Sequence, residues 1–250
     1  MSILLVLAVV LIIFLGALTR TVFGFGEAVV SMPLLALLPV NLHTSVSLVG
    51  LLGLTVASLA VAFGWRYVNR RELLPLISAA VVGIPVGLMM VNVVPAKVTT
   101  GILGIALSTY GTYSLTRQFF TTAEAQDRLH HPVWGLVFGF SSGVFGSAYN
   151  FNGVPVAIYG SLRGWRPQNF RSTMQAYFFM SGTLIVAGQG ISGMWNPDVF
   201  RLYLFSLPAM VAAFLVGTML NRHISTAKFQ RYVFLLIALL GALLFVKSVA

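Results

Sequence analysis

The chain reads as an all-α integral membrane protein made of two inverted repeats, each a broken-helix hairpin followed by three transmembrane helices. Three observations predict this. Hydrophobic residues fill 58% of its 250 positions and charged residues only 8%, where a soluble domain carries about 25% charged. Uncharged apolar stretches long enough to cross a bilayer recur along the whole chain. Two of them are interrupted by glycine- or asparagine-rich breaks at matching places in the two halves.

This composition excludes a soluble globular protein, a disordered chain and a disulfide-rich module. With no cysteine, disulfides, thiolate chemistry and cysteine metal sites are excluded too. The net charge of +10 marks loops that face the cytoplasm rather than a nucleic-acid surface. Transmembrane β-strands would alternate apolar and polar residues, whereas these stretches are apolar on all sides.

The first stretch, 2–38, is too long for one span and short for two. It lacks the basic start and small-residue cleavage site of a signal peptide. It breaks at Arg20-Thr21-Val22-Phe23-Gly24-Phe25-Gly26-Glu27, and a short helix over 28–38 is expected after the break. Three full spans follow, at about 43–64, 72–92 and 96–116. The second half repeats the order. Residues 132–162 break at Gly146-Ser147-Ala148-Tyr149-Asn150-Phe151-Asn152-Gly153, and spans follow at about 168–190, 199–220 and 228–247. The division is 1–117 for the first repeat, 118–131 for a cytoplasmic linker and 132–250 for the second repeat. Local matches support it. Val216-Gly217-Thr218-Met219 resembles Val86-Gly87-Leu88-Met89, and Ala227-Lys228 opens its helix as Ala96-Lys97 does. Gly16 and Arg20 line up with Gly139 and Gly143, and His43 lines up with Arg171. Irregular backbone at membrane depth is tolerated only where protein or a water-filled cavity satisfies it, so the two breaks are expected at a protein-lined site.

Segments 65–72, 117–131, 163–171 and 222–231 hold eleven of the fifteen basic residues. Placing all four on the cytoplasmic side requires each hairpin to return to its own side. Both termini then lie outside. Three crossings per half is an odd number, so the halves are inverted, a recurrent plan of secondary transporters. Trp65, Trp134, Trp165 and Trp195 flank apolar segments and read as interfacial anchors.

Gly24-Phe25-Gly26-Glu27-Ala28-Val29-Val30-Ser31-Met32-Pro33 resembles the glycine-rich motif that opens the first half of the sulfite exporter TauE/SafE family, also called the toluene-sulfonate uptake permease family. Gly153-Val154-Pro155-Val156-Ala157-Ile158-Tyr159 resembles its second-half counterpart. Asn169-Phe170-Arg171-Ser172-Thr173 resembles the arginine-containing motif that begins the next helix there. The resemblance covers essentially the whole chain and implies transport of sulfur oxyanions or organosulfonates. The chain departs from the pattern at Gly26-Glu27-Ala28, where the family has consecutive glycines, and at Asn150 and Asn152, where glycines are common.

Arg20 is the sharpest single feature. A cation at the bilayer centre is costly and is a functional residue by default, and the guanidinium fork suits sulfonate or carboxylate oxygens. The competing reading is an internal ion pair with Glu27. Glu27 itself is a candidate proton carrier, or a plain stabilising charge at a helix N-terminus. The helix N-termini after Gly26 and Gly153 are expected to present backbone N–H groups to an oxyanion; the competing reading is that these glycines only allow close helix packing. The expected substrate-binding set is Arg20, Gly24, Gly26, Glu27, Tyr149, Asn150, Asn152, Gly153, Arg171 and Gln175, with Glu27 and His43 as proton-coupling candidates and Tyr177 as a further polar contact. Gln189, near an outer helix end, is a weaker candidate. His130, His131 and His223 fall in loops and receive no role.

The leading reading is therefore a secondary transporter of the cytoplasmic membrane for a small sulfur-containing anion, working by alternating access. An anion channel, a carrier of another small organic anion such as a carboxylate, and an intramembrane enzyme using Glu27 or His43 are the alternatives. No P-loop, Gly-x-Ser-x-Gly elbow, His-Glu-x-x-His or potassium-filter signature occurs. A non-enzyme without cofactor or metal is expected, with a small anion and the bilayer as partners and no nucleic acid. The apolar outer face is expected with or without a second copy.

Overall fold

The structure is a computed structural model that describes residues 2–120, 131, 133–220 and 226–249. Ten α-helices run in order: α1 Ile3–Phe23, α2 Glu27–Leu35, α3 Leu42–Gly64, α4 Arg70–Val93, α5 Ala96–Phe120, α6 Val133–Tyr149, α7 Gly153–Leu162, α8 Pro167–Ile191, α9 Pro197–Leu220 and α10 Thr226–Val249. A single 3₁₀ turn, Trp65–Tyr67, links α3 to α4. The element order is the one expected: hairpin α1–α2, three long helices, hairpin α6–α7, three long helices.

The boundaries differ in detail. α1 continues through Phe23, so Arg20 lies in its last helical turn rather than in the irregular break. The break shrinks to residues 24–26, and the following helix takes in Glu27 and stops at Leu35 rather than 38. The second break likewise shrinks to residues 150–152. Small residues shaped both expectations, but Gly146, Ser147 and Ala148 are ordinary helical residues packed against neighbours. α5 runs three residues into the expected linker 118–131, most of which lies outside the described residues, as do His130 and His223.

Among the described residues, four helices are both long and apolar enough to cross a membrane, over Ile3–Val22, Leu42–Val61, Arg70–Val93 and Pro197–Met219. The chain is thus a multi-pass helical membrane protein. Of the six full spans expected, three meet both criteria. α5 and α8 have 25 residues each and α10 has 24, enough for roughly 36 Å at about 1.5 Å per residue. Outward positions such as Leu4, Leu7, Leu74, Met89, Leu204 and Leu215 are exposed leucines and methionines, the surface that a lipid environment requires.

The helices form two compact units, and each unit draws on both sequence halves. One holds α1, α2, α5, α9 and α10. Here α1 packs against α2 and α9, and α5 against α10. The α5–α10 seam is antiparallel and close. A side chain on Gly101 would strike Ser248, one on Gly104 would strike Phe245 and one on Gly111 would strike Ala238, while Gly241 faces Ser108. Small residues let membrane helices approach backbone to backbone, where dispersion contacts accumulate without a hydrophobic driving force.

The other unit holds most of α3 and α4 with α6, α7 and α8. α4 and α6 run parallel and exchange glycines. Cβ atoms on Gly83 and Gly87 would lie 2.3 and 2.2 Å from backbone oxygens of Phe140 and Val144, and on Gly139 and Gly143 within 2.3 and 2.4 Å of those of Leu76 and Ala80. Trp165 corrects its anchor reading. It packs edge-on to Tyr159 and against Gly160 and Phe170, with its indole nitrogen buried. Trp134 and Trp195 are exposed, as anchors should be.

Gly143→Leu is expected to destabilise this seam by about 1–3 kcal/mol, the range for overpacking a tight contact. Thermal unfolding of the purified protein in detergent checks it, with the outward Leu215→Ala expected to leave the midpoint nearly unchanged.

Candidate functional site

In the first hairpin, three residues reverse the chain. The Gly24 N–H returns to the Arg20 carbonyl at 2.7 Å as a left-handed cap. Gly26 has φ of +98°, which L side chains rarely adopt. This tight reversal sets Glu27, the first residue of α2, against Arg20 in the last turn of α1. Arg20 Nη1 donates to Glu27 Oε2 at 2.8 Å. The side chains are 7% and 4% exposed, so the pair is buried. Among the described residues, Glu27 Oε1 and, one turn on, Ser31 Oγ have no hydrogen-bond partner. Ser31 sits against Gly16, where a Cβ would come within 2.0 Å of its hydroxyl. α2 has no side-chain cap, and the Glu27 charge lies favourably at its positive end.

The ion pair expected as the competing reading is therefore present. Beside the tip lies a small cavity walled by Thr19, Phe25, Gly26, Val29, Tyr110 and Phe234. Its apolar surface holds no anion by itself.

His43 lies at the start of α3. Its N–H donates to Asn41 Oδ1, and Nε2 meets the Val91 carbonyl at 3.3 Å. It ties the start of α3 to the end of α4 and does not contact the Arg20–Glu27 pair.

In the second hairpin, the break turns on Asn150, the only non-glycine residue with positive φ (59°) among the described residues. Asparagine tolerates this region better than most side chains. Its N–H caps α6 at the Gly146 carbonyl, and its Nδ2 donates to the Val46 carbonyl on α3. A chain of hydrogen bonds then fastens the tip to α8. Asn152 Nδ2 donates to Ser181 Oγ, which donates to the Tyr177 carbonyl. Tyr177 OH donates to Ser142 Oγ, which donates back to the Asn152 carbonyl. The Asn152 amide is thus used on Ser181 rather than to cap α7. Tyr149 is fully buried against Phe151, and Gly153 opens α7.

The structure brings Tyr149, Asn150, Asn152 and Gly153 together in one unit, and Arg20, Gly24, Gly26 and Glu27 together in the other. Arg171 is exposed near the start of α8, ten residues and roughly 15 Å along the helix from Ser181. Gln175 is half-buried one turn further on.

Three features escaped the sequence reading. Gln189 is fully buried rather than a weak peripheral residue, and it faces Asn150 across Gly50. Ser142 and Ser181 carry the tip's hydrogen bonds, but serines this common carry no signal. Arg163, counted among the cytoplasmic basic residues, pairs with Glu72, which also accepts from Tyr159 OH. A lone acid at the head of an apolar span could have pointed to that pair.

Among the described residues, two interrupted hairpins and a set of long apolar helices define a polytopic helical membrane protein. The chain belongs to the sulfite exporter TauE/SafE family, which it matches over residues 9–244. No curated protein and no solved structure matches it.

Removing one partner of a buried ion pair costs about 3–5 kcal/mol, because the other charge is left uncompensated. Arg20→Gln and Glu27→Gln are each expected to lower thermal stability in detergent. The double variant is expected to recover part of the sum of the two losses, and a double-mutant cycle reads the difference.

Proposed function

We propose that this protein is a secondary transporter that carries a small sulfur-containing anion, such as sulfite, thiosulfate or an organosulfonate, across the cytoplasmic membrane by alternating access. The observation that carries this reading is the buried Arg20–Glu27 pair at a break between two helices. A guanidinium held ready by a displaceable carboxylate is a ligand for an oxyanion of similar geometry. Family membership supports the sulfur class. When the anion takes Arg20, Glu27 loses its counter-charge. A carboxylate so placed is neutralised by a proton, which couples anion movement to proton movement. Glu27 rather than His43 is assigned this role, since His43 is occupied at the ends of α3 and α4.

The contacts also support inverted halves. Matching Gly16 to Gly139 carries Thr21 onto Val144, and Gly217 matches Gly87. Gly217 packs on Thr21, and Gly87 packs on Val144. Each hairpin is thus seated by the equivalent glycine of the opposite half. Matching His43 to Arg171 carries Leu54 onto Gly182, and these two are in contact, as residues on a two-fold axis must be. The antiparallel α5–α10 seam fits the same exchange. On this plan the termini face outward and the arginine-rich turns face the cytoplasm.

Counterflow in proteoliposomes tests the reading. Sulfite trapped inside is expected to accelerate entry of labelled sulfite in the wild type. Arg20→Lys, which keeps the charge but loses the fork, is expected to weaken apparent affinity about tenfold, or roughly 1.4 kcal/mol. Glu27→Gln is expected to keep exchange but lose its response to a pH gradient. A near-normal affinity in Arg20→Gln removes the arginine from the site. Leak without counterflow indicates a channel, and acceleration by acetate alone rejects the sulfur class.

A further inference from the structure

Five arginines of the unit that holds α6, α7 and α8 are exposed and form no ion pair among the described residues: Arg66, Arg70, Arg71, Arg166 and Arg171. The fold gathers them at one end of that unit. Arg66 lies in the 3₁₀ turn, and Arg70 and Arg71 open α4. The Asn69 N–H, just before them, donates to Thr173 Oγ1 in the second turn of α8 at 2.9 Å. Arg166 and Arg171 lie at the start of that same helix. Glu72 is the one acid of this unit among the described residues, and both its carboxylate oxygens are taken. Arg163 Nη2 donates to Oε1 and the Tyr159 hydroxyl to Oε2. Like charges gathered in this way repel one another, and an external anion relieves that repulsion.

What lies beside the arginines indicates the kind of anion. α4 turns one face outward from Arg70 down its length, and beyond the first turn that face is largely apolar. Leu74, Val82, Val86 and Met89 are exposed along it, at the three- and four-residue spacings that keep positions on one side of a helix. α6 runs beside α4, with Gly135 against Pro75, and adds the exposed Trp134 and Leu136 near the same end. An exposed indole at the end of an apolar helix is a mark of the membrane interface. Charged heads above an apolar stripe match a phospholipid, with its phosphate on the guanidinium forks and its acyl chains along the helix. A soluble phosphate would gain nothing from the stripe.

We propose that this end of the unit binds anionic phospholipid, with Arg70, Arg71 and Arg166 as the principal contacts to the headgroup phosphate. The site is not the Arg20–Glu27 pair and does not rest on the transporter reading. A basic side chain near an anionic lipid surface is worth about fivefold in affinity, so three of them suffice for a clear preference over a zwitterionic lipid. The rival occupant is the chain itself. Glu124 and Asp127 precede α6 in the sequence and lie outside the described residues.

The test titrates the immobilised full chain in mixed micelles with fluorescent phosphatidylglycerol or with phosphatidylcholine of the same acyl chains. Wild type is expected to hold phosphatidylglycerol at least about tenfold more tightly, and added salt is expected to erode that preference. The triple variant Arg70→Gln, Arg71→Gln, Arg166→Gln is expected to lose at least about tenfold in affinity for phosphatidylglycerol and to bind phosphatidylcholine within about twofold of wild type. A control triple, Lys97→Gln, Arg201→Gln, Lys247→Gln, removes the same charge from three helices of the other unit and is expected to keep the preference. Equal loss in both triples overturns the proposal, because net charge alone then accounts for binding. Should the first triple variant fail to fold, wild type decides the matter: a preference that salt leaves unchanged overturns the proposal. Displacement of phosphatidylglycerol by inorganic phosphate, but not by chloride at equal ionic strength, also overturns it by assigning the arginines to a soluble anion. A preference absent from wild type and present only in the double variant Glu124→Gln, Asp127→Asn overturns it too, since the chain's own acids then cover the patch.

Discussion

Each broken hairpin is held in place by a glycine on a helix from the other half of the chain, and the rest of the structure depends on that contact. Gly217 on α9 meets Thr21 on α1, and Gly87 on α4 meets Val144 on α6. In a bilayer no water is available to satisfy an interrupted helix, so a break survives only when protein encloses it. Backbone-close packing provides the enclosure. It lets Arg20 and Glu27 meet in one unit, and lets the Asn152–Ser181–Tyr177–Ser142 ring form in the other. A side chain at either glycine would push the hairpin off its seat before any functional residue was touched.

The two tips solve the same problem with different chemistry. The first uses a full ion pair across a glycine reversal. The second uses neutral amides and hydroxyls around an asparagine in the left-handed region. Arg20 lines up with Gly143, which is needed for contact with Ala80. The position that one half uses for packing therefore carries charge in the other.

The order and type of every helix were legible in the sequence, because uncharged runs of span length leave few other structures available. The pairing of Arg20 with Glu27 was legible only as the competing reading to an anion-binding arginine, since opposite charges seven residues apart across a glycine turn suit either use. Helix ends were less legible. Gly146, Ser147 and Ala148 resemble a break, yet small residues serve tight helix packing equally well, and sequence does not separate the two uses. The burial of Gln189 was hidden for a related reason. It lies near a helix end in sequence, and only the folded hairpin brings Asn150 up to that level. The intertwining of the halves was likewise invisible, because it lives in contacts between α1 and α9 and between α4 and α6 that no local pattern encodes.

The central claim is that the two halves are inverted copies. The chain has no native cysteine, so single cysteines can be placed at equivalent turns without background. Tyr67 follows α3, and Ser192 follows α8; both are exposed. Labelling of Tyr67→Cys and Ser192→Cys with a membrane-impermeant thiol reagent, in intact and in permeabilised cells, is the most direct measurement. The account predicts that Ser192→Cys reacts from outside and Tyr67→Cys only after permeabilisation. Reaction of both from the same side would contradict it.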